Sequence, residues 1–137
     1  ADNSEGGMPP VPAGDPSEIY QKAYGDFSRG NYDLAITGFE EFLSDFPDAM
    51  LAPNAQYWLG ECYYSRKEFD KAIVEFDKVI KNYQGAIKVP SAYLKKGFSM
   101  DALGNREAAK AQYRKIVDAY PLAPEAAIAK EKLKQKK

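Results

Sequence analysis

The side chains of this 137-residue chain that are suited to chemistry are carboxylates and phenols, and neither set has the partners that catalysis needs. Histidine is absent, which removes every histidine triad, histidine general base and histidine metal ligand. Cys62 is the single cysteine, so an internal disulfide and a multi-cysteine zinc site are excluded. Its expected role is packing. Glu40, Glu41, Asp45 and Asp48 crowd one stretch, but none has a complementary group at a spacing that marks a reaction. The ten tyrosines are a different resource. Rigid rings with a polar tip suit a helical interior or a surface that grips another polypeptide. The chemistry to expect is recognition by contact, with no enzyme activity and no cofactor or metal.

What positions these rings is a repeat. Ala35, Ala72 and Ala109 are spaced by 37 residues, and so are Phe39, Phe76 and Tyr113. Ala23, Gly60 and Gly97 keep the same interval, and Pro47 and Pro121 lie two intervals apart. A period of tens of residues marks stacked supersecondary units rather than one closed globule.

Each unit reads as helix, short turn, helix. Ile19, Tyr20, Ala23, Tyr24 and Phe27 recur at helical steps. Gly30-Asn31 punctuates them, with Asn31 as the expected N-cap of the next helix. Leu34, Ala35, Ile36, Phe39, Phe42, Leu43 and Phe46 carry that helix to Pro47. The second unit starts at Pro53 and turns at Arg66-Lys67, and the third starts at Pro90 and turns at Gly104-Asn105. The segment from about Pro124 reads as one more helix, alanine-rich on one side and lysine-rich toward its end, a solubilising cap. Residues 1–15, with Gly6-Gly7 and Pro9-Pro10, read as a flexible linker.

Gly60 and Gly97 fall inside helices, where glycine costs about 1 kcal/mol relative to alanine. A close backbone approach of the paired helix would offset that, with Ala35, Ala72 or Ala109 as the small partner and Phe39, Phe76 or Tyr113 filling the gap between units.

Leu59-Gly60, Tyr63, Ala72 and Phe76 resemble the tetratricopeptide repeat (TPR), a helix–turn–helix unit of about 34 residues. The interval here is longer, and the added residues fall between units, in Asp48–Pro53 and Gly85–Pro90. The resemblance implies an all-α helical-hairpin solenoid of three repeats, about 16–47, 53–84 and 90–121, plus a capping helix of about 124–136, some seven helices. In TPR proteins the first helix of each unit lines a concave groove. Carried over by the repeat, that face holds Tyr20, Tyr24 and Phe27, then Tyr57, Glu61 and Tyr64, then Leu94, Phe98 and Asp101. Trp58, Leu59 and Tyr63 are expected in the core. Glu61 and Asp101 would receive a lysine or arginine of the partner, and a helix or an extended segment would fit the groove.

Residues 46–64, Phe-Pro-Asp-Ala-Met-Leu-Ala-Pro-Asn-Ala-Gln-Tyr-Trp-Leu-Gly-Glu-Cys-Tyr-Tyr, are similar to the C-terminal TPR domain of the Tol–Pal cell division coordinator family (YbgF, CpoB), as is Gly30-Asn31-Tyr32-Asp33-Leu34-Ala35-Ile36. The resemblance implies a periplasmic interaction module that binds TolA, with a peptidoglycan synthase as a further partner, and that coordinates septal peptidoglycan synthesis with outer-membrane constriction. It also implies a trimer where a coiled coil precedes the domain, whereas this chain by itself is expected to be a monomer. An outer-membrane assembly TPR lipoprotein shares the repeat style and is the alternative, as is a structural self-association unit. A net charge of −1 argues against a nucleic-acid partner and a polybasic membrane contact. No run approaches the roughly 18–20 apolar residues of a membrane span. Ala1-Asp2-Asn3-Ser4 has neither a basic nor an apolar leader region, so a signal peptide is expected to be absent or removed.

Overall fold

The structure is a computed structural model that describes residues 14–135. Most of the expected linker, and residue 136 of the expected cap, lie outside the described residues. Seven helices follow one another: α1 (Pro16–Ser28), α2 (Tyr32–Asp45), α3 (Ala52–Ser65), α4 (Phe69–Asn82), α5 (Val89–Ala102), α6 (Arg106–Ala119) and α7 (Pro124–Lys134). No strand occurs among the described residues.

The helix starts follow from proline and from two side-chain caps. Proline occupies the first or second position of α1, α3, α5 and α7, where its missing N–H is no loss. Asp15 caps α1 by accepting a hydrogen bond from the Ser17 amide at 2.8 Å. Asn105 caps α6 in the same way from Ala108, at 3.4 Å. Asn31 differs from its expectation: it bounds α2, but its side chain makes no capping bond.

The turn inside each unit is left-handed at one residue. Gly30, Lys67 and Gly104 hold φ of 82°, 62° and 84° at equivalent places in the repeat. The exit of each second helix also repeats. Phe46, Tyr83 and Tyr120 share φ near −133°, and each amide donates back into the last turn. The Tyr83 hydroxyl donates to the Pro47 carbonyl at 3.0 Å, which ties one inter-unit loop to the next.

Three apolar clusters form a ladder rather than a ball. Phe39, Phe42 and Leu59 sit in the first, Phe76, Val79 and Val89 in the second, and Tyr113, Ile116, Ala126 and Ala129 in the third. Burying each large side chain contributes about 1.5–3 kcal/mol. The glycine expectation is corrected in one respect. The space that a Cβ on Gly60 would need is filled by the Phe76 ring, not by a close helix backbone, and at Gly97 it is filled by Tyr113. In the first unit Ala23 holds that position and Gly38 across from it gives up the methyl, since a Cβ there would lie 2.8 Å from that of Ala23.

Candidate functional site

The odd-numbered helices line the inner side of the solenoid. α1 packs on α3 and α5 on α7, whereas no comparable contact joins α2 to α4 or α4 to α6. The even-numbered helices therefore splay on the outside, and the odd ones present a shared surface.

Its first half is aromatic. Tyr24 and Phe27 on α1 meet Trp58 on α3, with ring centroids 5.0 and 5.2 Å apart, and Tyr57 meets Trp58 at 5.3 Å. Tyr24 keeps 41% of its surface exposed. Tyr20 turns toward the core instead, edge-on to Phe39 and Phe42. Burial raises its phenol pKa, against hydrogen bonds to Asn54 and Trp58 that lower it.

The second half interleaves rings with lysines. Lys88 lies 4.7 Å from the centroid of Tyr57 and 5.4 Å from that of Trp58. Lys95 stands 4.2 Å over Tyr64 and 5.7 Å from Phe98, and Lys132 of α7 covers Phe98 at 5.4 Å. Such contacts contribute about 0.5–2 kcal/mol each, according to how far they are desolvated. Tyr64, Phe98, Asp101, Ala102 and Lys132 surround an open recess of about 450 Å³.

The two carboxylates expected to await a partner are already engaged. Glu61 is 8% exposed, accepts from the Tyr57 hydroxyl at 3.0 Å and pairs with Lys95 at 3.1 Å. Asp101 accepts from the Tyr113 hydroxyl at 2.6 Å and pairs with Arg106 at 3.2 Å, with Lys132 at 3.9 Å. Burial first, and then the adjacent carboxylate, push the Tyr57 phenol pKa well above its ordinary value, and the same pair of causes acts on Tyr113. Both phenols thus stay protonated and act as donors. The Cys62 thiol is fully buried, and burial pushes its pKa up to about 12, which keeps it unreactive.

Of the nine expected groove residues, Tyr24, Phe27, Tyr64 and Phe98 offer ring surface on this face. Leu94, 6% exposed, is a correction: it belongs to the third core cluster. Tyr57 is nearly as buried and supports the surface from beneath, with Lys88 above it. Trp58, expected in the core, does pack against the first and second clusters, but it is only partly buried and also offers ring surface to this face. Lys88, Lys95 and Lys132 were not anticipated. A signal existed for two of them. Lys95 falls 37 residues after Trp58, and Pro124 follows Pro90 by only 34, which sets Lys132 in register with Phe98. Among the described residues, no group of three or more histidines, cysteines or carboxylates is placed to hold a metal ion. None of the helices described is long and apolar enough to cross a membrane.

This geometry defines a TPR-type helical solenoid with a lined inner face, a protein-interaction architecture. The chain belongs to the YfiO outer membrane lipoprotein family, whose model matches residues 12–137. Among curated relatives it is similar to the cell division coordinator CpoB of Escherichia coli K12, 37% identical over 60 residues, which are 42% of this chain and 22% of that protein. CpoB of Pseudomonas putida KT2440 is 39% identical over 51 residues, 35% of this chain and 19% of the relative. The matched segments thus span about a fifth of the curated relatives' length. The solved fold agrees. The first TPR of Spaghetti (RPAP3) bound to the HSP90 peptide SRMEEVD superposes with a TM-score of 0.71 at 22% identity, covering 86% of each chain. The N-terminal domain of stress-induced protein-1 from C. elegans gives 0.72 at 11% identity, covering 87% of this chain and 94% of that one.

Proposed function

We propose that the chain is a non-catalytic module of the bacterial cell envelope that holds a segment of another protein along the surface of α1, α3, α5 and α7. The observation that carries this reading is the continuous run of rings from Tyr24 and Phe27 through Trp58, left partly open to solvent. Large rigid rings lose little side-chain entropy on contact and become binding hot spots. The likeness to the cell division coordinators supports a periplasmic role, with TolA as the partner and the timing of septal peptidoglycan synthesis against outer-membrane constriction as the output.

The family match favours a second reading with the same surface, a scaffold at the outer membrane whose partner is an assembly component. The two differ in partner and not in mechanism. The test is capture of TolA, and of co-purifying envelope proteins, by the intact chain and by Tyr24→Ala combined with Phe98→Ala. Helicity is expected to be unchanged and capture to fall by about tenfold or more. TolA capture that is equal for both proteins removes the surface assignment. Capture of other envelope proteins but not TolA, still lost in the double variant, transfers the surface to the scaffold reading. The protein is expected to sediment as a monomer; concentration-dependent dimerisation would instead support a self-association unit.

A further inference from the structure

The charge left over on the inner face points to the chemistry of the segment it takes; this inference rests on that face being the binding surface. Glu61 and Asp101 are not free to receive a cation. Each is held by a tyrosine hydroxyl and a basic side chain of the protein itself. Their negative charge is spent inside the fold, and a partner's lysine would have to displace a contact already made.

The lysines are in the opposite condition. Among the described residues Lys88 makes no ion pair, and its ammonium lies on the Tyr57 and Trp58 rings. Lys132 reaches Asp101 only at 3.9 Å, over the Phe98 ring. A lysine laid on a ring packs its stem and orders its head group, and the ammonium keeps N–H donors directed outward. Ordering before binding lowers the entropy lost when a carboxylate arrives. The two cations flank the α5 and α7 side of the surface, while on the α3 side Glu61 is already neutralised by Lys95 and the exposed contact is made by rings.

We propose that this surface selects an acidic segment: an extended peptide that sets an apolar or aromatic residue against Tyr24, Phe27 and Trp58 and directs Asp or Glu side chains to Lys88 and Lys132. Lys95, paired with Glu61, holds the floor between them. Charge of one sign arranged in this way fixes partner choice and direction.

Trp58 is the chain's one tryptophan, so its emission reports this surface directly. Peptides of about twelve random residues are selected on the intact chain, and binding is then followed by Trp58 fluorescence. Selected sequences are expected to be enriched in Asp and Glu next to an apolar residue. Their affinity is expected to fall about tenfold in Lys88→Glu and in Lys132→Glu, less in Lys88→Gln, and to weaken as salt rises. Circular dichroism of each variant shows whether it is folded. Peptides that need Trp58 but are neutral or basic overturn the acidic preference and leave the surface standing. Peptides indifferent to Trp58, Lys88 and Lys132 overturn the surface as well. If no peptide is retained, the proposed selection of extended acidic segments is wrong.

Discussion

Gly60 of α3 lies against the edge of the Phe76 ring of α4, so close that a Cβ on Gly60 would stand 2.5 Å from Phe76 Cε1. Phe76 is fully buried among Ala72, Val79 and Val89 and cannot back away without disturbing the second cluster. The helix-propensity cost of glycine is therefore offset by a ring that fills the interior.

Gly60→Ala is accordingly expected to destabilise the protein by about 1–3 kcal/mol, although alanine is the better helix former. Urea denaturation monitored by circular dichroism measures it. A variant as stable as the parent would show that the ring has room to move.

Lys67 makes the opposite case. It holds φ of 62° where the neighbouring units place Gly30 and Gly104. A side chain in the left-handed region costs about 1–2 kcal/mol, and glycine there loses part of the gain to its greater freedom when unfolded. Lys67→Gly is expected to stabilise by about 0.5–1 kcal/mol, read as a higher urea midpoint at unchanged slope. A lower midpoint would refute the strain.

These two residues show what the repeat makes readable. An interval of 37 places the turn inside each of the three units and the order of their six helices, because backbone geometry is the same in each unit. It identifies Gly60 as special but not what fills its space, since the Phe76 ring reaches it from the second helix. The site was less readable for the same reason. Glu61 and Lys95 lie 34 positions apart and meet only because α3 and α5 are neighbours. Whether Leu94 faces out or Trp58 faces in depends on how far the adjacent helix covers each, and no periodicity encodes that.

Arg106 is the clasp of the last helix. Its Nη1 bonds Asp101, and its Nη2 donates to the carbonyls of Lys132 and Gln135 at the end of α7. The Lys132 carbonyl otherwise accepts only a long bond from the Gln135 amide, at 3.3 Å, so Arg106 reinforces an end that the helix itself holds weakly. Arg106→Gln is expected to cost about 1–3 kcal/mol and to make α7 the first element to exchange its amide hydrogens. Unchanged exchange in α7 would mean that the cap is held by the third core cluster alone.

Asp77 supplies a pH dependence whose sign can be worked through. It joins α4 to α5 by accepting from Lys96 at 2.8 Å, and it takes Lys81 of its own helix at 2.9 Å. Burial pushes its carboxyl pKa up, but the hydrogen bonds from Lys96 and Lys81 outweigh burial and leave it below the ordinary value of 3.8. On acidification the unfolded chain therefore takes up the proton first. The contribution is complete above the unfolded value and is lost as pH falls through the lower folded value. At neutral pH, Asp77→Asn is expected to lower stability by about 1 kcal/mol, a modest figure because the pair is partly solvated. At about pH 3 and below the gap between parent and variant should narrow. Urea titrations of both proteins across that range measure it. A gap that stays constant with pH would show that Lys96 and Lys81 do not hold the carboxylate in its charged form.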